Sequence, residues 1–344
     1  MQEVEAAKVI IPLSKCMPGM ILLQPIIDID TGNTIIGKDQ VLTEDMLRRI
    51  ERFKHTEIWV RIPREETLWQ VEKEVIEAYE KYVAILKDII GNKRIDEPIK
   101  MDEIEGLAKC ITEECAYNFN LLACVNLVKD MDEDMYMHSI NVTFLSLLIA
   151  RWIDYTPTKF KQVAMAALLH DVGKIEMLPY LRNRQEDFTI KEKLEFKRHT
   201  IYGYERLCKY EGLDNEVLKG VLTHHERCDG TGYPLNLTED RINDIARIIG
   251  LADEYDQLRQ SKNIFEIIKI LKCDMIRKFD INMLLEFCNN VINYYIGEQV
   301  MLSTGEIAEV VFIQPHALHR PIVKTEDRYI DLYENVKLEI IKVL

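Results

Sequence analysis

Residues 224–234 read His-His-Glu-Arg-Cys-Asp-Gly-Thr-Gly-Tyr-Pro, and the interpretation of the whole chain depends on this string. Two adjacent imidazoles come directly before a segment with two glycines and a proline, which is typical of a tight loop. Neighbouring residues on a helix point about 100° apart, so His224 and His225 could serve two metal ions, or one ion and one water. Taken alone, the pair fits either a metal site or two solvated side chains at a helix end.

Three other segments carry side chains that can bind metals. They contain His138 at the start of an apolar helix, the pair His170-Asp171 in a helix that we expect to end at Gly173, and His199; Asp253 follows in the run 249–256. Each of these alone is typical of a hydrogen-bonded core histidine or a surface carboxylate. The runs 163–169 and 245–252 are apolar enough to be buried, and buried carboxylates among buried histidines are costly unless they are paired or metal-bound. Together these residues predict one buried metal site.

Composition excludes several classes of protein. The chain has 344 residues, of which 47% are apolar and 30% charged, as in ordinary globular proteins. We find no run of roughly 20 apolar residues and no basic, apolar leader, so we predict a cytoplasmic protein without a membrane partner. A net charge of −14 argues against nucleic acid as a partner. Eight cysteines without a CxxC pair predict reduced, mostly buried thiols.

The pattern of apolar, β-branched and turn-forming residues along the sequence predicts a mainly α-helical protein with flanking β-rich parts. We expect a small α+β module over residues 1–63, with Thr43 as the N-cap of its helix, a helical linker over 64–124, a helical core over 125–290 and a β-rich extension over 291–344. Apolar residues recur at helical spacing from Val71 to Ile90. This face could pack within its own domain or form the seam of a homodimer.

In this order, the motifs resemble those of the HD-GYP family, a branch of the all-helical HD phosphohydrolases. The family is named for a His-Asp pair and a Gly-Tyr-Pro triplet, which are present here as His170-Asp171 and Gly232-Tyr233-Pro234. The resemblance covers about residues 125–260, and the string at 224–234 has every fixed residue of the family's pattern. It implies a phosphodiesterase that hydrolyses the bacterial messenger cyclic di-GMP to the linear dinucleotide pGpG, to GMP, or to both.

The resemblance also implies a ligand set and a cofactor. The family's ligands fall on seven positions that all carry suitable side chains: His138, His170, Asp171, His199, His224, His225 and Asp253. Two divalent ions, commonly iron or manganese, lie close together in the family, and some members hold a third. Asp134, one helical turn before His138, could help to hold that third ion. The alternative is that Asp134 is a solvated side chain.

The chemistry of a phosphodiester indicates a mechanism for such a site. Anionic phosphorus repels a nucleophile, so two metal ions would neutralise its oxygens and turn a shared water into hydroxide near neutral pH. Asp171 would bridge the ions and orient that hydroxide. Lys174 resembles the family's lysine near the scissile phosphate, where it could neutralise charge or protonate the leaving oxygen. The alternative is a lysine that interacts with a helix C-terminus near Gly173.

Two further features concern the substrate. By resemblance, Gly232, Tyr233 and Pro234 shape the substrate pocket and contact signalling proteins, although they could simply form a turn. After Asp256 the chain departs from the family. Lys262 replaces an arginine and is the substrate contact that we predict, without the bidentate geometry of a guanidinium group. Phe265 replaces a second basic residue, and Arg259 could compensate. An HD phosphohydrolase of another cyclic dinucleotide or nucleotide, and a non-catalytic receptor or adaptor, are the alternative functions.

Overall fold

The structure is a computed structural model that describes residues 8–12, 16, 19–27, 34–50, 57–61, 65–91, 98–117, 125, 134–182 and 188–344. The boundaries predicted after residues 63 and 124 lie outside these residues. Two compact units are present, Met1–Ile85 with Lys109–Met131, and Leu86–Ala108 with Asp132–Leu344. The four-part division of the chain stays a prediction.

The first unit contains the α+β module that the sequence predicts. Its elements are β1 (Lys8–Pro12), β2 (Ile21–Leu22), β3 (Ile26–Ile27), β4 (Thr34–Ile36), α1 (Glu44–Ile50) and β5 (Glu57–Arg61). Strands β1, β5 and β2 form an antiparallel sheet in that order, and β3 pairs with β4. Side chains such as Leu22, Ile50 and Val60 form its buried core. The Thr43 hydroxyl accepts from the Met46 N–H at 3.3 Å, which confirms the predicted N-cap.

Two helices follow, α2 (Glu65–Leu86) and α3 (Met101–Tyr117), with a π-helical turn (Lys87–Gly91) after α2. On the apolar face predicted from Val71 to Ile90, the side chains of Val71 and Val75 lie outside the described residues. Further along that face Tyr79, Leu86 and Ile90 are buried within the chain. Both interpretations of this face, packing within its own domain and the seam of a homodimer, stay predictions.

The second unit is a helical core. Its helices are α4 (Met135–Trp152), α5 (Pro157–Leu169), α6 (Pro179–Arg182), α7 (Ile190–Phe196), α8 (His199–Leu207), α9 (Asn215–Thr223), α10 (Asp244–Arg259), α11 (Ile264–Lys269) and α12 (Ile281–Asn293). Residues 139–150 of α4 are all buried, so α4 lies at the centre and packs against α5 and α10. Helix α9 packs against α5, α8 and α10. Among the helices that the structure describes, none has both the length and the apolar character needed to cross a bilayer.

Capping residues set where the helices that carry the predicted ligands begin. The Asp134 carboxylate accepts from the N–H groups of Tyr136 and Met137 at 2.9 Å, and starts α4. The side chain of Asn243 accepts from the N–H groups of Ile245 and Ala246 in the same way before α10. Because each helix starts at a defined residue, the faces on which His138 and Asp253 lie are also defined.

The helix that carries His170 ends earlier than predicted. Helix α5 ends at Leu169 rather than at Gly173, and a 3₁₀ segment (Val172–Glu176) follows. This segment packs against α8 so closely that a Cβ atom on Gly173 would lie 1.9 Å from the His199 carbonyl oxygen and 2.4 Å from the Gly203 nitrogen. The chain therefore leaves the α-helical path to bring Asp171 beside His199, and only glycine permits the contact.

The C-terminal part is a five-stranded antiparallel sheet, as the sequence predicts. Its strands are β6 (Gln299–Leu302), β7 (Ile307–Phe312), β8 (Ile322–Lys324), β9 (Tyr329–Asp331) and β10 (Ile340–Val343), in the order β10-β6-β7-β8-β9. Val300, Val310 and Val323 are fully buried on one face of the sheet. They alternate with more exposed residues along β6 and β7, as expected for a sheet with one buried face.

The cysteines differ from the prediction of mostly buried thiols. Of the six cysteines in the described part of the chain, Cys288 is buried and Cys110, Cys208 and Cys273 are exposed. None of these six forms a disulfide. The prediction of burial is wrong for Cys110, Cys208 and Cys273, because they lie at solvent-facing positions, which a count of cysteines does not reveal.

Candidate metal centre

The structure brings all seven predicted ligand side chains into one cluster. His138 lies in the first turn of α4, His170 and Asp171 directly follow α5, His199 begins α8, His224 and His225 follow α9, and Asp253 lies in α10. Five of them (His170, Asp171, His199, His224 and Asp253) are at most 1% exposed. Their role as ligands remains a prediction, but their convergence from separate helices is a feature of the structure.

Asp171 lies between the imidazoles. Its Oδ2 is 3.4 Å from His170 Nε2 and 3.7 Å from His138 Nε2. Its Oδ1 is 3.4 Å from His199 Nε2. One carboxylate is therefore shared between histidines of three different elements.

Asp253 joins the cluster from α10. Its Oδ1 lies 3.1 Å from His138 Nε2, and its Oδ2 lies 3.6 Å from His225 Nδ1. Gln257 Nε2 donates to Asp253 Oδ1 at 2.7 Å and so limits the rotation of the carboxylate. A second buried carboxylate therefore faces the same centre as Asp171.

Backbone carbonyls orient three of the imidazoles. The Nδ1 atoms of His170, His199 and His224 lie 2.7, 2.7 and 2.8 Å from the carbonyl oxygens of Ala167, Phe196 and Val221, each three residues earlier. A carbonyl oxygen can only accept, so Nδ1 carries the proton in each ring. The lone pair of Nε2 is then directed towards the centre, as a metal ligand requires.

The electrostatics of four side chains of the cluster suit a cation. Burial lowers the pKa of His199 to about 4, so its imidazole is neutral. Burial also holds the pKa of His224 and of His225 well below the usual value. Burial alone would raise the pKa of Asp171, but the neighbouring Lys174 and His170 more than offset this and hold its pKa well below the usual value. Neutral imidazoles and ionised carboxylates are the donors that divalent transition metals prefer.

Unpaired atoms provide a test of whether a metal fits here. Among the described residues, His170 Nε2, Asp171 Oδ1 and Asp253 Oδ2 are buried and make no hydrogen bond. Buried polar atoms are normally paired, so three unpaired donor atoms in one cluster fit a metal ion as their common partner. Two groups have ligand atoms that all lie within 4.8 Å of one another, His138 with His170 and Asp171, and His199 with His224 and His225. The residues fit a metal centre.

Lys174 and Asp134 are two further side chains that the sequence analysis assigned to the site. Lys174 lies on the 3₁₀ segment rather than on a continued helix, yet its Nζ reaches Asp171 Oδ2 at 2.5 Å. Its side chain is 16% exposed, so the ammonium group is at the edge of the cluster. Asp134 caps α4 and lies 3.6 Å from Lys87 Nζ, and it belongs to neither of the two ligand groups found in the described chain. A third ion at Asp134 stays a prediction.

The Gly-Tyr-Pro loop covers one side of the cluster. The ring of Tyr233 stacks on His225 with 4.7 Å between centroids, and Lys197 Nζ lies 4.8 Å from the Tyr233 centroid. A Cβ on Gly232 would lie 2.4 Å from the Glu226 Cα, so the loop packs directly on the segment that carries the histidines. The peptide bond before Pro234 is cis.

The altered segment after Asp256 is mostly structural. Phe265 is 4% exposed and packs in the core, so this position offers no group to a ligand. Arg259 is also 4% exposed, and its Nε donates to Asp256 Oδ1 at 2.6 Å. The structure therefore does not support the prediction that Arg259 takes over the role of the basic residue that Phe265 replaces. Lys262 lies in the turn after α10, half-buried, and none of the ligand contacts given above involves it.

Glu226 and Arg227 are supporting residues that the sequence did not reveal as such. The Glu226 carboxylate, 5% exposed, accepts from the N–H groups of Leu235 and Leu237 at 2.6 and 2.8 Å. Arg227 Nη2 binds Glu254 Oε2 at 2.9 Å. These contacts close the loop and connect it to α10. The fixed Glu-Arg pair in the string 224–234 was the only signal, and it does not say what either side chain contacts.

Replacement of Glu226 by alanine is expected to destabilise the protein by about 2 to 4 kcal/mol, because the part-buried N–H groups of Leu235 and Leu237 lose a charged acceptor. The free energy of unfolding in urea measures the effect. Glu239→Ala is the control, since Glu239 is an exposed carboxylate of the same loop and should change stability by less than about 0.5 kcal/mol. Equal stabilities of the two variants would contradict the role of Glu226.

Comparison with known proteins finds matches to the part of the chain that contains the cluster. Residues 123–269 match the HD domain. A cyclic di-GMP phosphodiesterase of Pseudomonas aeruginosa is 27% identical over 70% of this chain and 59% of its own length. A 3′3′-cGAMP-specific phosphodiesterase of Vibrio cholerae is 28% identical over 43% of this chain and 27% of its own length. The chain thus spans less than two thirds of each of these curated relatives.

A solved structure agrees with the fold. An HDG"Y"P protein from Bdellovibrio bacteriovorus matches with a TM-score of 0.54 and 18% identity, over 83% of this chain and 100% of that chain. At this identity the likeness concerns the fold alone, and it confirms the predicted mainly helical architecture. Residues 123–269, which match the HD domain, contain every one of the seven converging side chains.

Proposed function

We propose that this chain is a metal-dependent phosphodiesterase that hydrolyses cyclic di-GMP to pGpG, to GMP, or to both. The observation that carries the proposal is the position of Asp171, a buried carboxylate within 3.7 Å of imidazoles from three elements. The HD domain match and the name of the Pseudomonas aeruginosa relative support the reaction and the substrate.

Two groups of side chains would hold the metal ions. His138 and His170 would serve one ion, and His199, His224 and His225 the other. Asp171 contacts imidazoles of both groups, and Asp253 reaches His138 and His225, so each carboxylate is placed to link the groups. We propose iron or manganese, because mixed imidazole and carboxylate ligands suit these ions. Bound divalent ions neutralise phosphoryl oxygens and lower the pKa of water.

The chain's own residues position and protonate the substrate. The Lys174 ammonium, 2.5 Å from Asp171 Oδ2, places positive charge at the edge of the cluster, where a phosphate would approach. From Nζ it can donate a proton to the leaving ribose oxygen. Tyr233, stacked on His225, closes one side of the pocket and limits the access of water. Lys262 would contact a substrate phosphate from the turn after α10.

A second candidate substrate is another cyclic dinucleotide. The specific observation is that Phe265 lies in the core, so a basic residue that the family pattern leads us to expect at the phosphates is absent from this position. The Vibrio cholerae relative named for 3′3′-cGAMP gives a concrete alternative. The same altered segment also fits a receptor that binds a cyclic dinucleotide without hydrolysing it.

The decisive experiment is a substrate panel with the full chain. Protein loaded anaerobically with Fe²⁺ or Mn²⁺ is mixed with cyclic di-GMP or 3′3′-cGAMP, and the products are separated by chromatography. We expect faster consumption of cyclic di-GMP, with pGpG or GMP as product, and no consumption after chelation of the metal. Preference for 3′3′-cGAMP would overturn the substrate, and tight binding without turnover would overturn the enzyme.

A further inference from the structure

We propose that Asp256 and Arg259 form a positioning pair that orients His138 as a metal ligand. The proposal rests on the proposed metal-dependent function, because it assigns His138 a metal to bind. Neither residue is among the predicted ligands. Both lie on α10, the helix that also carries Asp253.

The contacts form a continuous buried chain. Asp256 Oδ2 accepts from His138 Nδ1 at 2.7 Å, and Asp256 Oδ1 accepts from Arg259 Nε at 2.6 Å. Asp256 is 0% exposed and Arg259 is 4% exposed. Asp253, Asp256 and Arg259 follow one another at three-residue spacing, so they lie along one side of the helix. A single helical face thus supplies a ligand, the group that orients a second ligand, and the counter-ion of that group.

His138 needs such a partner because its position differs from that of His170, His199 and His224. The Nδ1 atoms of His170, His199 and His224 donate to carbonyl oxygens of their own segments. His138 instead lies in the first turn of α4, and its Nδ1 donates to a side chain 118 residues away. With Nδ1 committed to Asp256, the Nε2 atom faces Asp253 and Asp171 at 3.1 and 3.7 Å. Second contacts of this kind set the tautomer and the orientation of ligating histidines.

Arg259 explains how Asp256 remains an acceptor. Without a cation beside it, Asp256 would be a third buried carboxylate close to Asp171 and Asp253, and burial of an unpaired charge is costly. The guanidinium group compensates that charge on the side of Asp256 away from His138. It thereby distinguishes Asp256 from Asp253, whose Oδ1 lies 3.1 Å from His138 Nε2. Asp256 is already paired, whereas Asp253 keeps an oxygen, Oδ2, without a hydrogen bond among the described residues.

The test compares metal affinity and the state of His138 in matched variants of the full chain. Arg259→Gln, Asp256→Asn and Asp256→Ala are titrated with Mn²⁺ alone by equilibrium dialysis. Arg247→Gln is the control, because Arg247 is on the same helix and pairs with Asp280 at 3.1 Å but contacts no histidine of the cluster. Circular dichroism establishes that each variant is folded, and Arg259→Lys replaces Arg259→Gln if the latter does not fold.

We expect Asp256→Ala and Arg259→Gln to weaken Mn²⁺ binding by about 10- to 100-fold, Asp256→Asn by less, and Arg247→Gln by less than about 2-fold. Nitrogen-15 NMR of the imidazoles should show that His138 loses its fixed Nδ1–H tautomer in Asp256→Ala and keeps it in Arg247→Gln. If Asp256 only stabilised the fold, its replacement would leave the imidazole signal of His138 unchanged.

Unchanged Mn²⁺ affinity together with an unchanged His138 spectrum in both Asp256→Ala and Arg259→Gln would overturn the positioning pair. Neither measurement requires turnover. A wild-type protein that binds Mn²⁺ but hydrolyses no cyclic dinucleotide would therefore overturn the proposed function while leaving the pair supported by its own readouts.

Discussion

Replacement of His170 and Asp171 together by alanine is expected to abolish metal binding and hydrolysis. The double change removes one imidazole from the first ligand group and the carboxylate that contacts both groups. Metal ions supply several kcal/mol of transition-state stabilisation, and each roughly 1.4 kcal/mol is a factor of ten in rate, so we expect a loss of at least about 10³-fold in kcat/KM.

Metal content by mass spectrometry and turnover of cyclic di-GMP are the measurements. The matched control is His316→Ala with Asp327→Ala, which removes the same two residue types from exposed positions of the C-terminal part. This control should keep its metal and its activity within about 2-fold. Turnover that survives His170→Ala with Asp171→Ala in a folded protein would contradict the metal mechanism.

The second large effect is expected from Gly173→Ala. A methyl group at this position would overlap the His199 carbonyl oxygen, 1.9 Å away, and the Gly203 nitrogen, 2.4 Å away. Both are backbone atoms, so no side-chain rotation can relieve the overlap. The 3₁₀ segment and α8 would have to separate, which would also move Asp171 away from His199. We expect a destabilisation of about 3 kcal/mol or more.

Gly106→Ala is the matched control for that prediction. Gly106 lies inside α3, and a Cβ there would meet nothing within 4 Å. Because alanine favours the helix over glycine, this variant should gain about 0.5 to 1 kcal/mol. Urea unfolding of both variants, followed by circular dichroism, measures the two effects. A Gly173→Ala protein as stable as the wild type would show that the two backbones are not in contact.

The side chains of the cluster could be recognised in the sequence because most of them lie in short local motifs. His170 and Asp171 are adjacent, and so are His224 and His225, and only together with His138, His199 and Asp253 do these pairs indicate a common site. The apolar runs beside them indicate burial, which makes a cluster of charged and polar groups hard to explain without a cation. The prediction that α5 continues to Gly173 was wrong, because the path of the chain there is set by a contact with α8.

The supporting residues could not be read in this way. The Glu226 contacts depend on how the loop folds back over 9 and 11 residues, to the N–H groups of Leu235 and Leu237. The burial of Phe265 and Arg259 depends on which side of a helix faces the core. A pattern of residue types assigned both positions to the substrate, whereas packing assigns Phe265 to the core and Arg259 to Asp256.

Residue chemistry and local spacing were thus sufficient to name a helical domain with a buried histidine and aspartate cluster, because helical periodicity and ligand type are properties of short segments. The contacts between these segments could not be predicted from residue chemistry and local spacing. Which imidazole donates to a carbonyl and which to Asp256 is determined by the packing of α4 against α10, whose contacting residues lie 118 positions apart in the chain. Side chains so distant in sequence meet only when the core has formed, and no local rule specifies the geometry of their contact.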